Sequence, residues 1–181
     1  MKTLIALLRG INVGGNHVLP MKDLAAILEG LGATEVSTYI QSGNAVFRVE
    51  DENANGFAGR LASAIRQRCG FETHVLVLEP ETLIRALANN PFPDAARDPA
   101  GLHLGFLAGK PATPDLARLA SLRAGNERFQ LGDGVLYLHL PNGAARSKLA
   151  AGAEKALGVP MTARNWNSVC KIAEMTEALQ P

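Results

Sequence analysis

Aromatic residues are scarce in this chain, at 5% of the total. That weakens any reading in which a sheet stacks unpaired bases on exposed rings, and no RNP-like segment occurs. Cysteine is scarce too. Cys69 and Cys170 lie about a hundred residues apart and match neither zinc nor redox spacing. Both fall among apolar residues in expected helices, so they read as buried free thiols rather than a disulfide. Long apolar runs are missing, since no stretch approaches the roughly 18 residues of a membrane span. The opening Met1-Lys2-Thr3-Leu4-Ile5-Ala6-Leu7-Leu8-Arg9 is too short for a signal-peptide core and has no small-residue cleavage site. A soluble, cytoplasmic protein with no membrane partner is expected.

Charge of one sign is also lacking, the formal net charge being +1. Divided at Pro80, the first part carries seven Lys/Arg and eight Asp/Glu, the second eleven and nine. Neither half is a basic module that holds nucleic acid by bulk electrostatics, although local basic patches are compatible with these numbers. His17, His74, His103 and His139 are dispersed, without an H-x-x-x-H pair, so neither a metal site nor a cofactor is expected. No carboxylate pair of glycosidase type is recognisable.

What is present is ample core material. Hydrophobic residues make up 47% and charged residues 19% of 181 residues, which excludes disorder and suits one ordinary domain or two small ones. Residues 3–8 form an apolar run of strand length. A Gly/Asn turn follows at Gly10–His17, and Pro20 opens a helix with Met21, Leu24, Leu28 and Leu31 on its apolar side. Strands are expected at Glu35–Tyr39 and Ala45–Val49, then a helix at Asn53–Arg68 repeating Phe57, Leu61 and Ile65. A strand at 72–78 completes βαββαβ. A short helix around Leu83–Leu87 leads into Asn89-Asn90-Pro91-Phe92-Pro93-Asp94, whose prolines exclude regular structure and mark a linker.

The pattern then restarts: strand Leu102–Leu107, helix Pro114–Leu122, and a hairpin Arg128–Leu131/Val135–Leu140 turned at Gly132-Asp133-Gly134. A helix at Ser147–Leu157 and a strand at Met161–Ala163 complete a second βαββαβ, and a helix near Asn165–Ala178 is extra. The expected fold class is therefore α+β: two tandem ferredoxin-like βαββαβ subdomains, 1–79 and 102–164, joined by a short helix and linker at 80–101 and followed by a C-terminal helix within 165–181. The shared order points to internal duplication. The sheet face without helices must be covered or used. Docking of two units there, or joining of sheets at an edge, are both open.

Four polar segments carry the candidate ligand contacts. Arg9-Gly10-Ile11-Asn12-Val13-Gly14-Gly15-Asn16-His17 lies between strand and helix, where Gly14 and Gly15 allow backbone N–H groups to approach an anion beside Arg9 and Asn12. Its G-x-x-x-G-G order is neither a dinucleotide fingerprint nor a Walker A loop, Pro20 supplies no donor, and a tight turn alone explains the glycines. Gln41-Ser42-Gly43-Asn44 makes a hairpin turn whose polar groups suit a ligand site. Ser42 has neither a base nor a G-x-S-x-G elbow to make it a nucleophile. In Pro141–Lys148, Ser147 is placed to cap a helix, while Arg146 and Lys148 beside that N-terminus oppose its dipole. Cations so placed serve an anion or form a solvated pair. Arg164-Asn165-Trp166-Asn167 holds the sole tryptophan, expected to anchor the last helix, with Asn165 a ligand contact or an N-cap.

These segments resemble a bacterial family known as domain of unknown function 1697. The resemblance rests on Leu8–Asn16, Pro20–Leu24, Tyr39–Asn44, Arg146–Leu149 and Thr162–Asn167. It implies two ferredoxin-like α+β subdomains and implies no activity. The leading expectation is a protein that binds an anionic ligand, a nucleotide or nucleic acid, through Arg9, Asn12, Gln41, Asn44, Arg146, Lys148, Arg164 and Asn165. An enzyme acting on a phosphorylated small molecule, with Arg stabilising charge, and an interaction scaffold without a small-molecule site are the alternatives. Oligomeric state is not legible.

Overall fold

The fold is that of a computed structural model describing residues 1–50 and 53–179; the expected C-terminal segment 165–181 thus ends outside the described residues, at Gln180 and Pro181. The chain forms two compact units. One is Met1–Leu83 together with the segment from Lys171, and the other is Ile84–Cys170. Two four-stranded antiparallel sheets and six α-helices occur among the described residues.

In the first unit the order is β1 (Lys2–Arg9), α1 (Met21–Gly30), β2 (Thr34–Tyr39), β3 (Asn44–Val49), α2 (Ala54–Cys69) and β4 (His74–Leu78). The sheet runs β2-β3-β1-β4. Strand alternation decides its faces. Leu4, Ala6 and Leu8 point to the side carrying Leu24 and Leu28 of α1 and Phe57, Leu61 and Ile65 of α2, with Ala45, Phe47, Val49 and Val77 beside them. Ile5, Leu7 and Val46 point the other way and are fully buried as well. Asn53 caps α2 by accepting from the Gly56 N–H at 2.6 Å, and Gly70 ends it in the left-handed conformation.

The helix α3 (Pro80–Ala88) crosses from the first unit into the second. The second unit then repeats the order: β5 (Leu102–Leu107), α4 (Leu116–Leu122), β6 (Arg128–Leu131), β7 (Val135–His139), α5 (Lys148–Leu157) and β8 (Met161–Asn165). Its sheet runs β6-β7-β5-β8, the same relative order as the first. Leu107, Leu136, Leu138 and Met161 face Leu119 of α4 and Leu149, Ala153 and Leu157 of α5. Leu104, Phe106 and Tyr137 face the opposite side, also buried. The last helix, α6 (Trp166–Glu177), follows β8 without a loop.

Boundaries differ from the sequence expectations where side chains intervene. The helix expected from Pro114 starts at Leu116 because Asp115 caps it, accepting from the Arg118 N–H at 2.8 Å. The strand expected to end at Ala163 continues to Asn165, which pairs with His103. Asn90 and Phe92 exchange two bonds in an Asx-type turn. Asp94 then takes a bidentate ion pair from Arg128 of β6 at 3.2 and 2.7 Å, so the proline-rich stretch is held in place. Cys69 and Cys170 are free thiols, half-buried rather than fully buried, and Trp166 is half-buried too. No described helix is long and apolar enough to cross a membrane.

Candidate functional site

The end of the first sheet gathers three connections: the stretch after β1, the β2–β3 turn, and the α2–β4 link. Val13 and Asn16 bridge each other, so Gly14 and Gly15, at φ +58 and +77, form the exposed tip of a miniature hairpin. That tip explains the glycines, and α1, which follows Pro20, carries Asp23 in its first turn. Asn12 is the organiser. Its Oδ1 accepts from the Leu19 N–H at 2.8 Å, and its Nδ2 donates to the carbonyls of Leu19 and Gln41, each at 2.9 Å. Gly43 adds a backbone tie, with its carbonyl accepting from the Leu8 N–H at 2.8 Å.

Four of the sequence candidates thereby become neighbours of one another. Arg9 is exposed at the end of β1, where its carbonyl accepts from the Thr73 hydroxyl at 2.7 Å. Gln41 is exposed, and Ser42 is half-buried, its Oγ accepting from Asn44 Nδ2 at 2.9 Å. Asn44 is wholly buried, with Nδ2 also donating to the Tyr39 carbonyl at 3.0 Å, which makes it a brace of the turn. The backbone here is strained. Asn12, His17 and Ile40 all have left-handed φ, at 55, 51 and 47°, a conformation that costs an ordinary residue about 1–2 kcal/mol. Such strain concentrates where a site is pre-organised.

Two residues outside the expected ligand contacts complete this end. The His17 ring stacks on Phe71 at 4.7 Å between centroids and 11° between planes. Its Nδ1 lies 3.1 Å from the Gly10 carbonyl oxygen, an acceptor that requires the proton on Nδ1. An exposed ring backed by a second ring therefore stands at Gly10, the residue that follows Arg9. The only sequence signal was position, with His17 closing the glycine turn and Phe71 following the Gly70 helix stop.

In the second unit, Asn165 and the start of the Pro141–Lys148 segment lie against residues 99–102. Gly101 accepts from the Leu140 N–H at 2.7 Å just before the Pro141–Lys148 segment. Asn165 Nδ2 reaches the carbonyls of Pro99, Ala100 and Leu102 at 2.9, 3.2 and 3.3 Å, and its Oδ1 accepts from the Asn167 N–H at 3.0 Å. Asn165 is thus the cap of α6 and a clamp on the chain. Ser147 caps α5, accepting from the Ala150 N–H at 3.0 Å, and Arg146 and Lys148 are exposed on either side.

Arg164 stands apart from them. It pairs with Leu104, so it projects from the sheet face opposite α5, and it is 9% exposed. Burial pushes its guanidinium down to about 10. One of its N–H groups donates to the Ala163 carbonyl at 3.0 Å. Arg146 and Lys148 share one segment, then, while Arg164 serves the buried side of the sheet. No group of three His, Cys, Asp or Glu among the described residues is placed to hold a metal.

Comparison with known proteins places the chain in a family and finds similar solved structures. A family model described as a protein of unknown function (DUF1697) matches residues 1–137. A solved structure of a conserved bacterial protein from Streptococcus pneumoniae is similar at 27% identity and a TM-score of 0.72, covering 96% of this chain and 97% of that one. No curated protein matches the chain in sequence.

Proposed function

We propose that this chain, which belongs to the DUF1697 family of proteins of unknown function, is a cytoplasmic protein that binds a nucleotide-sized anionic ligand at the end of its first sheet. The observation that carries the reading is the stacked His17–Phe71 pair held at Gly10, one residue along the chain from Arg9. A guanidinium matches phosphate geometry, and an exposed ring supported from behind is a platform for a planar base. Asn12 holds the two polar turns in register, so the geometry exists before ligand arrives and less ordering is needed on binding.

An extended nucleic acid is the less favoured ligand. Ile5, Leu7 and Val46 on one sheet, and Leu104, Phe106 and Tyr137 on the other, are buried. Among the described residues, none of the exposed large hydrophobic side chains is aromatic, which disfavours a sheet surface on which successive bases stack. The equal strand order of the two halves supports reading each as a ferredoxin-like unit derived by internal duplication. Arg146 and Lys148 beside the α5 N-terminus form a separate exposed basic segment in the second half.

Calorimetric titration with ATP, inorganic triphosphate and adenosine, each at several salt concentrations, tests the reading. ATP is expected to bind with salt-dependent affinity. Arg9→Ala should weaken ATP and triphosphate alike, and His17→Ala should abolish the preference for ATP over triphosphate. Absence of salt-dependent binding, or unchanged ATP binding in the Arg9→Ala/His17→Ala protein, overturns it.

A further inference from the structure

We propose a second site, unrelated to the first: the cleft between α3 and the β6–β7 hairpin binds a small zwitterion, one carboxylate and one ammonium group on a molecule the size of a free amino acid or dipeptide. The cleft encloses about 400 Å³, near the lower end of the roughly 300–1,000 Å³ of small-molecule pockets. Arg85 and Asn89 line it from the helix, and Gln130, Gly132, Asp133 and Tyr137 line it from the hairpin. All of these residues belong to the same compact unit.

The walls are fixed to each other. The Tyr137 hydroxyl donates to the Ala86 carbonyl at 2.7 Å inside the protein, joining strand to helix. Gly132 brings the hairpin backbone against the same tyrosine; a Cβ there would stand 3.0 Å from Tyr137 Cε2 and 3.3 Å from Val135 Cγ1. Burial pushes the Tyr137 phenol up, so the group remains a neutral donor at physiological pH. Within this frame the polar chemistry is unspent. Among the described residues, neither the Arg85 guanidinium nor the Asp133 carboxylate nor the Gln130 amide has a hydrogen-bond or ion-pair partner. Asn89 uses its Nδ2 on the Arg85 carbonyl at 2.9 Å, which leaves Oδ1 as an acceptor.

Opposite charges that line one cleft ordinarily find each other. Here no ion pair joins Arg85 and Asp133, and each keeps its full capacity. Both groups are exposed, and a molecule that presents an anion to the guanidinium fork and a cation to the carboxylate engages both at once. A carboxylate suits the planar guanidinium fork, an ammonium suits the carboxylate, and the Gln130 and Asn89 amides are available to the atoms between. A ligand of single charge would leave one wall group unpaired, which is the physical basis of discrimination at such a site.

Ligand-observed NMR titration of the full chain with alanine, glutamine and alanyl-alanine tests this, with propionate and propylamine as controls of single charge. At least one zwitterion is expected to saturate, with both controls weaker by at least about tenfold. Arg85→Gln and Asp133→Asn change exposed side chains, so both proteins should unfold at the wild-type temperature, and each should weaken the zwitterion by about tenfold. The Arg9→Ala/His17→Ala protein should bind the zwitterion as wild type does, which separates this site from the nucleotide reading. Failure of every zwitterion to saturate, equal binding of propionate, or wild-type affinity in both charge variants overturns the proposal.

Discussion

The Asn12 carboxamide donates to the Gln41 carbonyl at 2.9 Å, across 29 residues of chain, and so ties the glycine turn after β1 to the β2–β3 turn. The same side chain both donates to and accepts from the Leu19 backbone. Asn12→Ala removes all three bonds, strands the Leu19 N–H and forces alanine into φ 55°. A loss of about 2–4 kcal/mol is expected, from the unpaired backbone groups and the left-handed conformation together. Asn12→Gly removes the bonds but not the tolerance of positive φ, and should recover about 1 kcal/mol of that loss. Urea unfolding of the three proteins measures both differences.

Two glycines of this cluster, both at positive φ, separate strain from crowding. A Cβ on Gly43 would stand 2.7 Å from Leu8 Cβ and 2.8 Å from Ile11 Cδ1, whereas one on Gly14 would meet nothing within 4 Å. Gly14→Ala should therefore cost only the conformational term, about 1 kcal/mol. Gly43→Ala adds displacement of two core side chains and should cost about 3–5 kcal/mol. Equal melting temperatures for the two variants would contradict the packing described at Gly43.

Ile40 is β-branched, half exposed at 50%, and held at φ 47°. Nothing in its burial explains why isoleucine occupies a conformation that asparagine adopts readily. Ile40→Asn is expected to raise the unfolding free energy by about 0.5–1.5 kcal/mol through release of that strain. If the strain belongs to recognition, the same variant should bind ATP more weakly while unfolding at a higher temperature, a trade of stability against function. Calorimetry and thermal melts on one preparation give both readings.

Much of the architecture was legible because it rests on local rules. The strand Leu102–Leu107 and the Asp-Gly hairpin are written in short apolar runs and a turn dipeptide, and they occur where those signals put them. Boundaries shifted where a side chain reached beyond its neighbours: Asp115 capped α4 and Asn165 extended β8 before capping α6. The candidate site divides in the same way. Arg9 and Gln41 were visible as polar turn residues, but their proximity depends on the β1–β3 ladder, the Leu8–Gly43 backbone bond and the Asn12 bond over 29 positions, and no periodicity encodes it. The partnership of His17 with Phe71 is equally long-range. Arg164 read as one more basic residue in a polar cluster, since one-dimensional spacing does not tell which sheet face a strand residue takes until the pairing register with Leu104 is known. Arg85 carried no signal and Asp133 only that of a turn, because helix and hairpin meet only in three dimensions.

Two histidines of the second unit should make its stability depend on pH. Burial lowers the His103 pKa from 6.5, opposed by the Gly101 carbonyl. His139 is lowered from 6.5 by desolvation first and then by the Arg128 charge, against the smaller pull of Asp94 and Asp98. The Arg128 Nε–H donates to His139 Nδ1 at 3.1 Å, a bond that exists only while the imidazole is neutral there. In both cases the unfolded chain takes up its proton at a higher pH than the folded one. The stability these groups contribute is therefore complete above about pH 6.5 and declines as pH falls through the depressed folded values. Urea midpoints measured from pH 7 down to about 5 should fall, and the fall should be shallower in a His103→Gln/His139→Gln protein. A wild-type midpoint that rises on acidification over this window would contradict the neutral, hydrogen-bonded state of His139. Asp94 adds a second, lower window: the hydrogen bond from Arg128 holds its carboxyl below 3.8, so its contribution survives until the pH approaches the ordinary carboxylate range. Asp94→Asn should thus remove the lower window and, because Asp94 also pulls the His139 pKa upward, deepen the fall across the histidine window.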